Sequence, residues 1–218
     1  MPSTVALAPL RQVAVVTGAM VVVTCTAGML ATWSAWHRYE IAVAFVAGEP
    51  DIGVADYVGA DNTAANTALL WLLAYAVTAV TFLTWSWRTR CNAERLNPVP
   101  HRLSRGWTIG GWLVPFFPLI VLEDVWRTSR PNLPSVEHAR QLPRAPLVHY
   151  WWYTALACVA AGLWLTAIGG GTPTLDEVLT IASATTVLAT LQIVAAALVI
   201  PLIRQVTQWQ TPPSTIHV

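Results

Sequence analysis

The chain has 218 residues, 55% of them hydrophobic and only 11% charged, with a mean hydropathy of +0.53. A soluble domain carries about a quarter charged residues and needs a polar surface whatever the size of its core. This composition therefore excludes that class and implies a single integral membrane domain with little outside the bilayer. The net charge of +1 says nothing about partners by itself, and no nucleic-acid partner is expected.

The first charge-free interval lies between Arg11 and Arg38, with 26 residues lacking Asp, Glu, Lys and Arg. It predicts a span over about 12–36, since roughly 20 apolar residues cross a hydrocarbon core of about 30 Å. The apolar run Val13–Ala35 exceeds the length of a signal-peptide core, so an anchor is expected rather than a cleaved leader. Ile41–Gly48 extends this helix or lies along the outer interface. An acidic outer loop follows, with Glu40, Glu49, Asp51, Asp56 and Asp61.

A second interval of 26 residues, from Asp61 to Arg88, predicts a span over about 64–87, with "ADN" at 60–62 as its cap. Arg88, Arg90, Arg95, Arg102 and Arg105 come next. The stretch "GWTIGGWLVPFFPLIVL", 106–122, is apolar but rich in Gly, and Pro115 and Pro118 each remove a backbone donor. Its 17 residues would reach only about 25 Å if wholly helical. If the segment re-enters, eleven of the twelve arginines share one side with both termini, leaving Arg38 alone. If it crosses, the split becomes seven to five. Arginines near spans stay on the cytoplasmic side, so a re-entrant or interface-lying element is expected, with a kinked fifth span as the alternative.

Arg144 and Asp176 enclose 31 charge-free residues and Glu177 and Arg204 another 26, predicting spans over about 147–168 and 178–203 and a cytoplasmic tail over 205–218. The tail's last stretch, "TPPSTIHV", reads as disordered. "TLDE", 174–177, is a capping box for the last span. The expected fold is thus all-α and polytopic: four transmembrane helices plus the Gly/Pro element, in the cell membrane, with cytoplasmic N- and C-termini. Tryptophans and tyrosines bunched at the interval ends (Trp33, Trp36 and Tyr39; Trp71 and Tyr75; Trp85 and Trp87; Tyr150–Tyr153) fit interfacial belts better than core packing. No span has a central charge. Gln192 is the most polar central side chain and is expected to bond a neighbouring helix, while Ala14 with Gly18 and Ala157 with Ala161 suit close helix packing. Cys25, Cys91 and Cys158 form no disulfide or metal pattern.

The arginine-rich part carries a recognisable signature: "WSWRTRCNAERL" (85–96), "SRGWTIGGWLVPFFPL" (104–119) and "DVWRTS" (124–129). It resembles a family of bacterial multi-span proteins catalogued as domain of unknown function 4328, in Trp87, Arg88 and Asn92, then Gly106, Trp107, Gly110, Trp112 and Pro115, then Trp126, Arg127 and Ser129. The resemblance covers Asn62 to about Ala167. It departs after Pro115, where this chain is shorter by about a helical turn. It implies a multi-span membrane protein and no established activity.

Arg88, Arg90, Asn92, Arg105, Trp107 and Arg127 are the candidate contacts to anionic lipid headgroups, at about 1 kcal/mol per arginine near a charged leaflet, or to a membrane partner or second copy of the chain. Gly106, Gly110, Gly111, Trp112, Pro115, Pro118, Asp124 and Trp126 are the candidate structural residues of the re-entrant element. Pairs four apart, Arg88 with Asn92, Arg90 with Glu94 and Glu123 with Arg127, suit helical contacts. An acid beside the membrane needs a partner, so Asp124 or Glu123 is expected to pair with Arg88 and lock the element to the second span. His101, Asp124, Glu137, His138 and His149 lack ligand spacing and read as solvated loop residues. No cofactor is expected, and no "HExxH", "GxSxG" or Walker loop is present. The favoured function is non-enzymatic binding of lipid or protein through the Arg/Trp face. The alternative is a passive channel or facilitator lined by the Gly/Pro element.

Overall fold

The structure, a computed structural model, describes residues 7–97, 99–114, 116–131, 133, 141–143, 145–168 and 173–211. The described residues contain helices and no strand. In order these are α1 (Arg11–Ala47), α2 (Val54–Leu96), α3 (Trp107–Gly110), a 3-10 turn (Gly111–Leu113), α4 (Phe117–Thr128), α5 (Pro146–Ile168) and α6 (Leu175–Gln210). Three of them, α1, α2 and α6, are long and apolar enough to cross a membrane. Helix α5 coincides with the expected third span; it has 23 residues and no charged side chain.

Local chemistry sets the helix ends. Ile41–Gly48 continues α1 rather than lying apart. Gly48 then stops it with φ 74°, while its N–H bonds Phe45 O and the next N–H bonds Ala44 O. That pair of bonds is a Schellman closure, which favours glycine at the left-handed position. Helix α2 begins at Val54, not at the expected "ADN". Asp56 Oδ2 accepts the Gly53 N–H at 2.9 Å, a capping-box contact that starts the helix earlier and leaves 60–62 in its interior. The "TLDE" box forms as expected: Glu177 Oε2 accepts from the Thr174 N–H at 2.6 Å, and Thr174 Oγ1 accepts from the Glu177 N–H at 3.3 Å. Helix α6 runs past Arg204 to Gln210, passing through Pro201. The tail residues 212–218 lie outside the described residues.

The chain divides into two compact units. One comprises residues 1–19, 78–152 and 197–218, the other 20–77 and 153–196. Eleven of the twelve arginines fall in the first range and seven of the eleven acids in the second, which has Arg38 as its one arginine.

In the second unit, side chains tie the helices together across apolar surroundings. Trp71 Nε1 donates to Gln192 Oε1 at 2.8 Å, Trp36 Nε1 to Thr186 Oγ1 at 2.9 Å, and Ser34 and Thr67 share a hydroxyl bond. Gln192 thus bonds a neighbouring helix, as expected. Close approach falls at Gly28 rather than Gly18. A Cβ on Gly28 would lie 2.9 Å from the Trp71 ring, whereas one on Gly18 meets nothing within 4 Å. Trp33, Tyr75 and Tyr153 are exposed, as is Tyr150 of the first unit, as belt residues would be.

The first unit is centred on an aromatic cluster. Phe82 lies 5.4 Å from Trp85, 5.3 Å from Trp151 and 5.6 Å from Trp112 between ring centres. Trp85, Trp151 and Trp152 are buried, which corrects the belt assignment for them. They form the socket that receives the Gly/Pro element.

Candidate functional site

The segment 107–128 folds back on itself. α3 and the 3-10 turn together span seven residues, about 10 Å of rise or a little more, and α4 spans twelve, about 18 Å. Neither arm reaches the roughly 30 Å of a hydrocarbon core. Phe116 makes the reversal at φ 75°, an uncommon backbone for a bulky residue. Gly111 sits where a Cβ would come within 3.2 Å of Phe117 Cβ, so glycine lets the arms close. The Trp107 and Phe117 rings meet edge to face at 4.8 Å. Pro118 does not break a helix here. It lies in the first turn of α4, where its missing N–H costs nothing. Pro115 lies outside the described residues.

Apolar side chains sort to two sides of this hairpin. Trp112 enters the aromatic socket, 5.6 Å from Phe82 and 5.9 Å from Trp152, and its Nε1 donates to Thr108 O at 3.1 Å. Val121, Leu122, Val125 and Trp126 are buried. Trp107, Ile109 and Phe116 face outward, and Leu113 is 90% exposed.

At the base of the hairpin lies a lattice of opposite charges, organised by an arginine the sequence reading did not single out. Arg102 Nε donates to Asp124 Oδ1 at 2.8 Å and Nη2 to Glu123 Oε2 at 2.8 Å; its backbone N–H bonds Asp124 Oδ2 at 2.9 Å. The expected lock from Asp124 or Glu123 to Arg88 on the second span does not form: Arg102, on the loop after α2, takes both acids, while Arg88 bonds Pro9 O. Arg127 Nη2 bonds Glu123 Oε1 at 2.8 Å along α4. On α2, Arg90 Nε bonds Glu94 at 2.9 Å and Arg90 Nη2 bonds Leu103 O at 2.7 Å. Arg105 closes the second carboxylate oxygen of Glu94. The 101–105 strand of loop is thereby strapped to α2 on one flank and α4 on the other.

Burial alone would raise the Glu123 carboxyl, but the bond from Arg102 and the charges of Arg127 and Arg102 hold it below the usual range. Arg102 itself is shifted up, burial being outweighed by the two acids. His101 goes the other way. Burial and then the Arg90 charge push it down to about 4, against the pull of Asp124 and Glu94. Neither ring nitrogen of His101 has a hydrogen-bond partner among the described residues.

The other expected contact residues divide clearly. Arg90 is 2% exposed and Asn92 0% exposed. Asn92 clamps the N-terminal segment, accepting from the Ala8 N–H at 2.8 Å and donating to Ala8 O at 3.0 Å. Arg88 supports the same segment through Pro9 O at 3.1 Å. Arg88 and Asn92 thus share a target rather than a mutual bond. Arg105 and Trp107 are exposed. The end of α6, read as tail, is a further clasp: Gln210 Nε2 donates to Thr89 O at 3.0 Å and Ser129 Oγ at 2.6 Å, and Gln205 Oε1 accepts from Trp126 Nε1 at 3.0 Å. A glutamine after a long apolar helix gives no such signal by itself. The three cysteines are free thiols. Among the described residues no three metal-ligating side chains converge; of the five residues weighed for that role, Glu137 and His138 lie outside the described residues.

Three helices long and apolar enough to cross a membrane fit a helical protein of the integral-membrane type. A family model for a domain of unknown function, DUF4328, matches residues 49–208. The chain belongs to that family. The match extends beyond Asn62–Ala167 at both ends, taking in the acidic loop and most of α6. No curated protein and no solved structure matches the chain.

Proposed function

We propose that this is a four-span membrane protein, with α5 as a span beside α1, α2 and α6, whose termini and hairpin share the cytoplasmic side. Its role is non-enzymatic: the hairpin tip enters the inner leaflet while Arg105 and Trp107 hold anionic headgroups. The observation that carries this reading is the division of surface on one small element. Leu113 is 90% exposed with Phe116 and Ile109 beside it, and Arg105 lies at the base. An apolar tip above a cationic base fits acyl chains below a charged headgroup layer. That eleven of the twelve arginines fall in the residue ranges of the unit containing both flanks of the hairpin supports the sidedness. Glu94, Glu123 and Asp124 are each tied to arginine, which suits scaffolding better than proton transfer.

The test uses a variant with Cys25, Cys91 and Cys158 replaced by serine and one new cysteine at Leu113, reconstituted and spin-labelled. The label should be reached by dissolved oxygen far more readily than by a water-soluble nickel complex. Labels at Ser104 and Pro131, both exposed, should react from the same side. Arg105→Ala with Trp107→Ala should deplete phosphatidylglycerol from the purified protein. An aqueous environment at 113, or opposite sidedness at 104 and 131, would refute the proposal; capture of a protein partner with unchanged lipid content would reassign the face to protein binding.

A further inference from the structure

The second unit contains an open cleft that the arginine-rich face does not involve. Its volume is about 290 Å³, and Ala31 and Ala35 of α1 and Ala64, Ala65 and Ala68 of α2 line it together with residues of α5 and α6. Alanines at these spacings repeat along one face of each helix, and their short side chains leave the space unfilled. The volume is about twice that of an apolar cavity of ~150 Å³ that admits benzene. Trp71 forms part of the wall, fixed by its bond to Gln192 and by its seat against Gly28. Ala65 and Ala68 are exposed, so an apolar chain has lateral access.

The cleft is not apolar throughout. Arg38 and Asp61 also line it, paired at 2.7 Å. Arg38 is mostly buried and its Nε has no hydrogen-bond partner among the described residues, while the Asp61 side chain is 47% exposed. Arg38 lies 27 residues along α1 from Arg11, about 40 Å of rise, matching a bilayer with its headgroup layers. Ala31 to Arg38 covers about 10 Å of that axis.

We propose that this cleft binds one phospholipid bearing a primary-ammonium zwitterionic headgroup, its upper acyl chain along the alanines. The phosphate meets the Arg38 guanidinium where it lines the cleft, and the ammonium meets the half-exposed carboxylate of Asp61. Net charge argues for the zwitterion. Seven acids and one arginine fall in this unit's residue ranges, so an anionic lipid meets repulsion that a phosphate–ammonium pair does not. A trimethylammonium headgroup has no N–H to give Asp61. The inference rests on membrane integration but not on the hairpin.

The experiment is native mass spectrometry of the full chain delipidated in detergent and titrated with phosphatidylethanolamine, phosphatidylcholine or phosphatidylglycerol of matched chains. One phosphatidylethanolamine should bind ahead of the other two. Ala65→Leu with Ala68→Leu should lower its occupancy about tenfold, and Asp61→Asn, a change at an exposed side chain, should abolish the headgroup preference while an adduct persists. Unfolding temperature and gel-filtration profile establish that each variant is folded. Equal binding of the three lipids, or binding unchanged in the leucine variant, would overturn the proposal.

Discussion

Replacing Arg102 by alanine should cost far more than replacing Arg88, although both stand in the same arginine-rich stretch. Arg102 meets two acids that are nearly inaccessible: Glu123 is 5% and Asp124 7% exposed. Removing one partner of a buried pair costs about 3–5 kcal/mol, whereas an exposed pair contributes about 0–1 kcal/mol. Arg102 lies between these limits, its side chain being 48% exposed, so water can occupy part of the vacated space. Glu123 also keeps Arg127 at 2.8 Å, and Asp124 keeps the backbone N–H of residue 102. The net loss is therefore about 2 kcal/mol, or about 4–8 °C in Tm for a chain of this length. Arg88→Ala removes one 3.1 Å bond to Pro9 O, about 0.5–1 kcal/mol. Arg102→Lys should fall in between, because an ammonium retains charge without the two-armed geometry. Thermal unfolding in detergent, read by a thiol-reactive dye that reaches buried Cys158 only on unfolding, measures all three. Equal losses for Arg102→Ala and Arg88→Ala would refute the assignment of Arg102 as the organiser.

His101 gives a pH signature. Its folded pKa of about 4 lies below the ordinary value near 6.5, so its contribution is complete above about 6.5 and is lost as pH falls towards 4. After allowance for partial solvent contact, the loss is about 1–2 kcal/mol. Tm should drop across that window, and His101→Gln should flatten the slope; an unchanged slope removes His101 from the account. Asn92→Ala should leave Ala8 without its two bonds, about 1–2 kcal/mol. Hydrogen exchange should then accelerate in the 7–10 segment more than at Arg102–Arg105, and uniform acceleration would count against a local clamp. Gly18→Ala adds a methyl in open space and should raise stability by about 0.5 kcal/mol through helix propensity. Gly28→Ala should lower it, because the 2.9 Å approach displaces the Trp71 ring from Gln192. The reverse order in Tm would refute the packing described for α1.

Where the sequence was legible, the information was local. The capping box at Thr174–Glu177, the Arg90–Glu94 and Glu123–Arg127 pairs and the long charge-free helices all follow from spacings of three or four residues or from plain runs of apolar side chains. The lock at Asp124 was legible only as a need. A pair of acids beside the membrane had to find a cation, but several arginines lay within reach in sequence. Which one serves depends on how the 101–105 loop lies on α4, which no spacing encodes. The same holds for Trp85, Trp151 and Trp152. Their clustering at span ends suits a belt and a socket equally well, and only a partner from elsewhere, Trp112, decides between them.

The hairpin brings these points together, because non-helical backbone at membrane depth persists only where its polar groups are met by protein. The turn meets that demand locally: the Val114 N–H bonds Gly111 O at 3.0 Å, and the Phe117 N–H bonds Val114 O at 3.3 Å. Trp112 uses its indole N–H on Thr108 O, so a large ring can be buried without stranding its donor. These two bonds meet part of the turn's demand from within the element itself. Leu113, Ile109 and Phe116 face outward. The ionic straps at the base resist removal of the element from its socket. On the proposed reading the element meets lipid at one end and water at the other, which predicts opposite sensitivities at its two ends. Leu113→Asp should impair membrane assembly, with about 2.5–3.5 kcal/mol expected for a charge placed at bilayer depth. Leu113→Ala should leave the unfolding temperature nearly unchanged, because an exposed side chain contributes little packing. If Leu113→Ala destabilised the purified protein as strongly as Arg102→Ala, the tip would be packed against protein, and its assignment to lipid would fail.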